Sequence, residues 1–151
     1  MKLRGYCPED CRELAELFYH TVHRTNSRDY TAEQCSAWAS GTVDLERWNA
    51  SFLQHLTLVA QLDGKLAGFA DMDAAGFLDR LYVRWDCQRR GVATALCDAL
   101  EEAVAAPQFT THASITAKGF FEKRGYCAIR CQQVQRGSQC LTNFVMVKVG
   151  R

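Results

Sequence analysis

The chain has 151 residues, 48% of which are hydrophobic, and a formal net charge of +1 at neutral pH. This length and apolar content suit one folded domain with a sizeable core, so we expect residues 1–151 to form a single domain. The nearly neutral charge gives no basis for bulk electrostatic attraction to nucleic acid or to an anionic membrane, and neither is expected as a partner.

Targeting and metal signals are also missing from the sequence. It contains no run of about 18 apolar residues, which a membrane-spanning helix would need. Met1-Lys2-Leu3-Arg4 does not lead into the apolar segment of a signal peptide, so we expect a cytoplasmic protein whose eight cysteines stay reduced. Cys7 and Cys11, like Cys127 and Cys131, have C-x-x-x-C spacing, which differs from the C-x-x-C pairs of zinc sites, and no metal is predicted.

The first third of the chain predicts one strand followed by helices. Lys2–Tyr6 reads as a strand, and Pro8 suits the first position of a helix. That helix has an apolar stripe at helical spacing, formed by Leu14, Leu17, Phe18 and Val22. Thr31 and Gln34 have the spacing of a capping box, which predicts a second helix running through Trp38.

A short helix and three antiparallel strands are predicted next. The helix covers Asp44–Gln54. Leu56–Gln61 and Lys65–Met72 flank an Asp63-Gly64 pair, which is a strong hairpin signal. Phe77–Arg84 then adds a third antiparallel neighbour to this hairpin.

A basic turn follows this strand and leads into a helix that begins near Gly91. The helix has one apolar face, formed by Ala93, Leu96, Cys97, Leu100 and Val104. Its first backbone N–H groups lack intrahelical partners and lie at the positive end of the helix dipole, so they favour a phosphate or pyrophosphate. Gly91 has no Cβ to block the approach of such a ligand. The chain has neither the P-loop motif nor the G-x-G-x-x-G motif of dinucleotide-binding folds.

The last part of the chain predicts a strand, a helix and two further strands. The strand lies near Thr111–Ile115 and the helix covers Ala117–Arg124, ending at the C-cap residue Gly125. The final strands are predicted over Tyr126–Gln135 and Leu141–Val149. The resulting order of elements is compatible with an open mixed sheet flanked by helices.

Two motifs in this order resemble those of the GNAT family of N-acetyltransferases. The run Q-R-R-G-V-A over Gln88–Ala93 resembles the acetyl-CoA signature [QR]-x-x-G-x-[GA]. Downstream, the family's N-x-x-A-x-x-[FL]-Y-x-K-x-G-[FY] segment is matched at Ala117, Phe120, Lys123, Gly125 and Tyr126. Ser114 stands where Asn is usual, and Phe121 stands where the family often has the Tyr that protonates the leaving thiolate.

The resemblance implies an α/β fold (α+β by some schemes) and an acetyl-CoA site. The expected fold is an open, mixed and mostly antiparallel sheet of about seven strands, flanked by helices, with a splayed strand pair that binds acetyl-CoA. Backbone groups of one strand would pair with the pantetheine, and an N–H would face the thioester oxygen as an oxyanion hole. The residues assigned to the cofactor are Leu81, Tyr82, Val83, Gln88, Arg89, Arg90, Gly91, Val92, Ala93, Thr94, Ser114, Ala117, Phe120, Phe121 and Lys123.

Asp79 and Ser114 are the predicted catalytic residues. The period-two alternation of a strand places Asp79 on the same face as Leu81 and Val83, where it could act as a base or anchor a cationic amine. A structural ion pair with an arginine is the alternative role for Asp79. Ser114 lies near the same site by analogy with the family and would hold a water or a pantetheine amide.

Polar-tipped aromatic residues between the first strand and the hairpin suggest a roof over the acceptor. His23, Tyr30 and Trp38 suit a half-wet pocket wall, although each also suits a structural role. The favoured function is acetyl transfer from acetyl-CoA to a small primary amine, without a metal. The alternatives are a protein or peptide acceptor, and a module that binds acyl-CoA without turnover, which Phe121 keeps open. A homodimer is compatible with the sequence.

Overall fold

The computed structural model describes residues 1–150, and its helices and strands follow the predicted order. The strands are β1 (Lys2–Gly5), β2 (Leu56–Leu62), β3 (Lys65–Met72), β4 (Phe77–Val83), β5 (Gln108–Ser114), β6 (Cys127–Arg136) and β7 (Gln139–Val149). The helices are α1 (Cys11–Arg24), α2 (Ala32–Trp38), α3 (Leu45–Gln54), α4 (Val92–Val104) and α5 (Lys118–Lys123). None of the helices in residues 1–150 combines the length and the apolar character that crossing a membrane would require.

Within residues 1–150 the seven strands form one sheet, in the order β1-β2-β3-β4-β5-β7-β6. Neighbouring strands are antiparallel except β4 and β5, which are parallel. The β4–β5 pairing is limited to Phe77 with Thr110 and Leu78 with Thr111, so the two strands separate beyond Leu78. The predicted open mixed sheet with a splayed strand pair is confirmed.

Helices cover both faces of this sheet and divide the core into two clusters. On one face, α4 contributes its buried residues Val92, Leu96, Cys97 and Leu100. On the other face, α1 and α3 contribute Leu14, Leu17, Phe18, Val22 and Phe52. The predicted apolar stripe of α1 is therefore confirmed. Pro8 lies in a 3-10 turn (Pro8–Asp10) that precedes α1, and the α-helix itself begins at Cys11.

The capping box predicted for α2 is present. Thr31 Oγ1 accepts the Gln34 N–H at 3.1 Å, and Gln34 Oε1 accepts the Thr31 N–H at 2.9 Å. Gln34 also donates to the carbonyl oxygen of Cys140 at 2.9 Å, which fixes α2 against β7. The bond from Gln34 to Cys140 holds α2 over the start of β7.

A β-bulge in β4 changes the direction of one predicted site residue. Asp71 pairs with Arg80, whereas Met72 pairs with Leu78, so one step along β3 faces two steps along β4 at Asp79. A bulge of this kind interrupts the alternation of side chains. The carboxylate of Asp79 consequently lies near Arg80, with 3.7 Å between Oδ2 and the guanidinium. The prediction that Asp79 shares the face of Leu81 and Val83 is therefore wrong.

Candidate active site

The turn between β4 and α4 is shaped by hydrogen bonds of its own residues. The side-chain amide of Gln88 donates to the carbonyl oxygens of Val83 at 2.7 Å and Arg84 at 3.2 Å. The Gln88 side chain thus closes the turn from within. Arg89 (φ 61°) and Gly91 (φ 82°) adopt left-handed backbone conformations that turn the chain toward α4.

The N-terminus of α4 is open to a ligand. A Cβ built on Gly91 would meet no other atom of residues 1–150 within 4 Å, and Gly91 supplies no side-chain cap. The first N–H groups of this 13-residue helix have no side-chain cap and lie at the positive end of the helix dipole. Arg89 and Arg90 are exposed at the same turn, and Arg90 lies 3.6 Å from Asp63. These residues fit the pyrophosphate of a nucleotide cofactor.

Other predicted cofactor residues differ in how much of them a ligand could reach. The side chain of Val92 is buried in the core, so only its backbone is available, whereas Ala93 is half-buried and Thr94 is exposed. On α5 and just before it, Ala117 and Phe120 are half-buried and Lys123 is exposed.

The separation of β4 from β5 leaves one edge of β4 free. Arg84 donates its N–H to Ala67 on the β3 side. Backbone groups alternate between the two sides of a strand, so those of Tyr82 face β3, and those of Leu81 and Val83 face the gap toward β5. The Val83 carbonyl already accepts from Gln88 in this gap. Of the three residues whose backbone is predicted to contact pantetheine, Leu81 and the N–H of Val83 thus face the gap, and the backbone of Tyr82 pairs with β3 instead.

A cavity of about 190 Å³ lies along this gap, beneath α2 and Tyr30, which precedes α2. It is lined by Tyr30, Trp38, Phe77, Asp79, Tyr82, His112, Ser114, Val134, Arg136, Leu141, Thr142 and Asn143. Five of these lining residues were predicted site residues from the sequence: Tyr30, Trp38, Asp79, Tyr82 and Ser114. A larger cavity of about 470 Å³ lies between α1 and the α2–α3 loop, but its lining residues do not come from β4, β5 or the turn before α4.

His23, the remaining predicted acceptor residue, does not line the 190 Å³ cavity. Its Nε2 lies 2.7 Å from the carbonyl oxygen of Ala39, and its ring packs on Tyr19 with 4.3 Å between centroids. This position ties the end of α1 to the end of α2. The structure therefore gives His23 a packing role.

Sequence reasoning missed several lining residues of the cavity, above all Phe77, His112, Arg136 and Asn143. His112 and Ser114 alternate along β5, so the side of the strand could have been found from its period. No local signal brings Arg136 or Asn143 to this site, because the β6–β7 hairpin reaches it only through the sheet order.

Asp79 is the carboxylate of the cavity, and its environment opposes its ionisation. Desolvation and the negative charge of Asp71 raise the pKa of Asp79 above its usual range, and the nearby Arg80 only partly offsets them. The side chain remains 40% exposed. A carboxyl group with a raised pKa that still reaches solvent is suited to accept a proton and release it.

Behind Asp79, the fully buried Asp71 organises a charged network. Its two carboxylate oxygens accept from Arg80 Nε at 3.0 Å and from an Arg80 terminal nitrogen at 2.7 Å, and one lies 2.7 Å from His55 Nδ1. Arg80 also donates to Ser51 Oγ at 2.6 Å. His55, Asp71 and Asp79 have potential metal-ligand atoms within 4.8 Å of one another. Arg80 already supplies the positive charge at this position, so the network is an ion-pair cluster and no metal is assigned to it.

Ser114 and Phe121, the two departures from the family motif, both have structural contacts near α5 that explain them only in part. Ser114 Oγ accepts the Ala117 N–H at 3.0 Å and so holds the turn into α5. Phe121 is 3% exposed and packs on Phe120 and Tyr126, with 5.1 Å between ring centroids in each case. A core contact accounts for the aromatic ring of Phe121, but leaves this position without a proton donor.

Comparison with known proteins agrees with the resemblance to the GNAT family seen in the sequence motifs. Residues 26–146 match the model of the acetyltransferase (GNAT) domain. The uncharacterized N-acetyltransferase YafP of Escherichia coli K12 is 34% identical over 146 residues, covering 97% of this chain and 94% of YafP.

Solved structures show the same relationship. A GCN5-related N-acetyltransferase structure from Rhodopseudomonas palustris, also described as an aminotransferase of class II, is 38% identical with a TM-score of 0.93, covering 98% of this chain and 94% of that one. PaiA N-acetyltransferase from Thermoplasma acidophilum, solved in complex with coenzyme A, has a TM-score of 0.78 at 19% identity and 98% coverage of both chains, and so shares the fold. With its splayed β4–β5 pair and the open N-terminus of α4, the chain belongs to the GNAT family of acetyltransferases.

Proposed function

We propose that the protein transfers the acetyl group of acetyl-CoA to the primary amine of a small acceptor, by direct attack in a ternary complex. The observation that carries this proposal is the meeting of two features at β4. The gap between β4 and β5 runs from Leu78 to the end of β4, which leads through the turn into the open N-terminus of α4, and residues of the same two strands line the 190 Å³ cavity that has Asp79 on its wall.

On the donor side, the open α4 N-terminus supports a pyrophosphate site. The N–H groups following Gly91 supply hydrogen-bond donors, and the exposed Arg89 and Arg90 supply positive charge. Leu81 and the N–H of Val83 provide unpaired backbone groups along the gap. A backbone N–H held by the sheet would stabilise negative charge on a thioester oxygen without reorganising during the reaction. The coenzyme A complex of PaiA supports the same class of donor.

On the acceptor side, Asp79 is the residue we assign to the amine. It would attract the ammonium form and accept a proton from it, directly or through water, so that a neutral nitrogen attacks the thioester carbon. The carbon–sulfur bond of the resulting tetrahedral intermediate then breaks, the thiolate leaves, and the nitrogen gives up its second proton to solvent. Phe121 has no hydroxyl to protonate this sulfur, and the Tyr30 hydroxyl already donates to a backbone carbonyl, so we assign that proton to water.

The small cavity favours a small acceptor over a protein or peptide. Tyr30 and Trp38 close the cavity from the α2 side, with 5.3 Å between their ring centroids. Binding of acyl-CoA without turnover is the second candidate, favoured by the buried ring of Phe121 at the proton-donor position.

The test is release of free thiol from acetyl-CoA in the presence of single small primary amines, polyamines and short peptides. The proposal expects acceptor-dependent thiol release with at least one small amine. Saturable acetyl-CoA binding with no release above the rate without acceptor would favour the binding module. Release with peptides alone would favour the peptide acceptor.

A further inference from the structure

The walls of the acceptor cavity carry charges of both signs. Asp79 enters from the bulge of β4, and Arg136 enters from the end of β6, which β5 and β7 separate from β4 in the sheet. The other titratable groups on the walls are His112 and the hydroxyls of Tyr30 and Tyr82. The cavity therefore presents a carboxylate and a guanidinium to whatever molecule occupies it.

The positive charge of Arg136 is not neutralised within the described chain. Arg136 belongs to none of the ion pairs formed among residues 1–150, and one terminal nitrogen donates to the carbonyl oxygen of Gln135 at 3.3 Å. The remaining guanidinium donors are free to bind a carboxylate in the two-point geometry that arginine favours. Asp79, by contrast, faces the cavity with an acceptor suited to an ammonium group.

We infer that the acceptor is an amino acid, with its ammonium group at Asp79 and its carboxylate at Arg136. This inference rests on the proposed acetyl transfer and specifies its substrate class. The aromatic side chains of Trp38, Tyr82 and Phe77 line the same cavity and offer an apolar surface to the amino-acid side chain. The volume of about 190 Å³ suits one such molecule.

The same two charges disfavour the other amine classes. A polyamine would bring a second ammonium group toward Arg136, and juxtaposed like charges cost binding energy. A peptide N-terminus carries an amide where the amino acid has its carboxylate, so Arg136 would lose a charge-assisted hydrogen bond. A simple alkylamine would leave the guanidinium without a partner in the cavity.

The experiment compares amino acids with the amines that lack only their carboxylate. Suitable pairs are leucine with 3-methylbutylamine, methionine with 3-(methylthio)propylamine, and phenylalanine with 2-phenylethylamine, with leucinamide as the neutral analogue. We expect kcat/KM from thiol release to favour the better amino acids by about tenfold to hundredfold over their partners. Arg136→Gln should abolish that preference by lowering kcat/KM for the amino acids alone, while the KM for acetyl-CoA stays unchanged. Arg136→Lys should restore part of the preference.

Arg130→Gln is the matched control, because Arg130 lies on the same strand but does not line the cavity. It should leave the preference intact. A thermal-shift measurement with coenzyme A present separates amino-acid binding from acetyl transfer, since ligand binding raises the melting temperature without any turnover. Absence of thiol release with every amine would overturn the proposed transfer, and the amino-acid inference would then be decided by stabilisation that Arg136→Gln removes. Amines that match or exceed their amino acids, with no effect of Arg136→Gln, would overturn the inference alone.

Discussion

The hydroxyl of Tyr30 donates a hydrogen bond of 2.6 Å to the backbone carbonyl of Thr142 on β7. The same oxygen accepts the N–H of Ile115, just beyond β5, at 2.9 Å. The pairing of β5 with β7 ends at Ser114 and Asn143. Tyr30 therefore joins these two strands immediately past their last paired residues. A residue that lines the acceptor cavity thus also holds the strands that form its floor.

Removing the Tyr30 hydroxyl should destabilise the protein and also weaken binding of the acceptor. Tyr30→Phe loses two hydrogen bonds in a partly buried setting, and we expect a loss of about 1–3 kcal/mol in the free energy of unfolding. Urea denaturation measures this loss. Tyr19→Phe is the control, since the Tyr19 hydroxyl makes no hydrogen bond within residues 1–150. Equal stabilities for the two variants would show that the Tyr30 contacts contribute nothing.

Asp79→Asn should separate activity from stability. Loss of the carboxylate should lower kcat/KM by about a hundredfold or more if Asp79 accepts the proton of the amine. The fold should not suffer, because the charged form of Asp79 is disfavoured by desolvation and by Asp71. The stability gain at neutral pH should stay below about 1 kcal/mol, because the side chain is 40% exposed and solvent screens its charge.

The pH dependence of that gain follows from the raised pKa. In the folded state Asp79 ionises at higher pH than in the unfolded chain, so its ionisation costs stability as pH rises through this interval. The Asn variant should therefore be at least as stable as the wild type at pH 7, and the difference should disappear below about pH 3, where Asp79 is protonated in both the folded and the unfolded state. Full activity in Asp79→Asn, or a large loss of stability at pH 7, would contradict the assignment.

The neighbouring Asp71 should behave in the opposite way. Asp71→Asn would leave the guanidinium of Arg80, whose side chain is only 13% exposed, without its hydrogen-bonded carboxylate, because the carboxylate of Asp79 lies farther away at 3.7 Å. Breaking a buried ion pair in this manner typically costs about 3–5 kcal/mol. Calorimetry or urea unfolding should show this loss, and a change below about 1 kcal/mol would mean that Ser51 and Asp79 are enough to hold Arg80.

Gly91→Glu should remove acetyl-CoA binding from a folded protein. The added carboxylate would lie at the N-terminus of α4, where we place the pyrophosphate, and the repulsion should weaken binding by about a hundredfold or more. Gly125→Glu is the matched control, since Gly125 also has a positive φ (97°) and open space around a built Cβ, but lies after α5. Isothermal titration with acetyl-CoA gives the comparison, and an unchanged dissociation constant for Gly91→Glu would place the cofactor elsewhere.

The sequence predicted those parts of the structure that depend on neighbours along the chain. The Thr31–Gln34 box and the start of α4 after Gly91 are set by contacts within one turn, and both are present as predicted. The direction of Asp79 depends on the register between β3 and β4, and a bulge of one residue reversed it. Arg136 reaches the cavity only because β7 lies between β5 and β6, which no local pattern indicates.

Mass spectrometry with isotopically labelled acetyl-CoA, the protein and a set of small primary amines shows whether the protein acetylates a small amine. We expect labelled acetyl groups on an added amine, in proportion to the thiol released, and no such product with Gly91→Glu. Tight binding of acetyl-CoA with no acetylated small amine, or label found only on peptides, would contradict the proposed transfer.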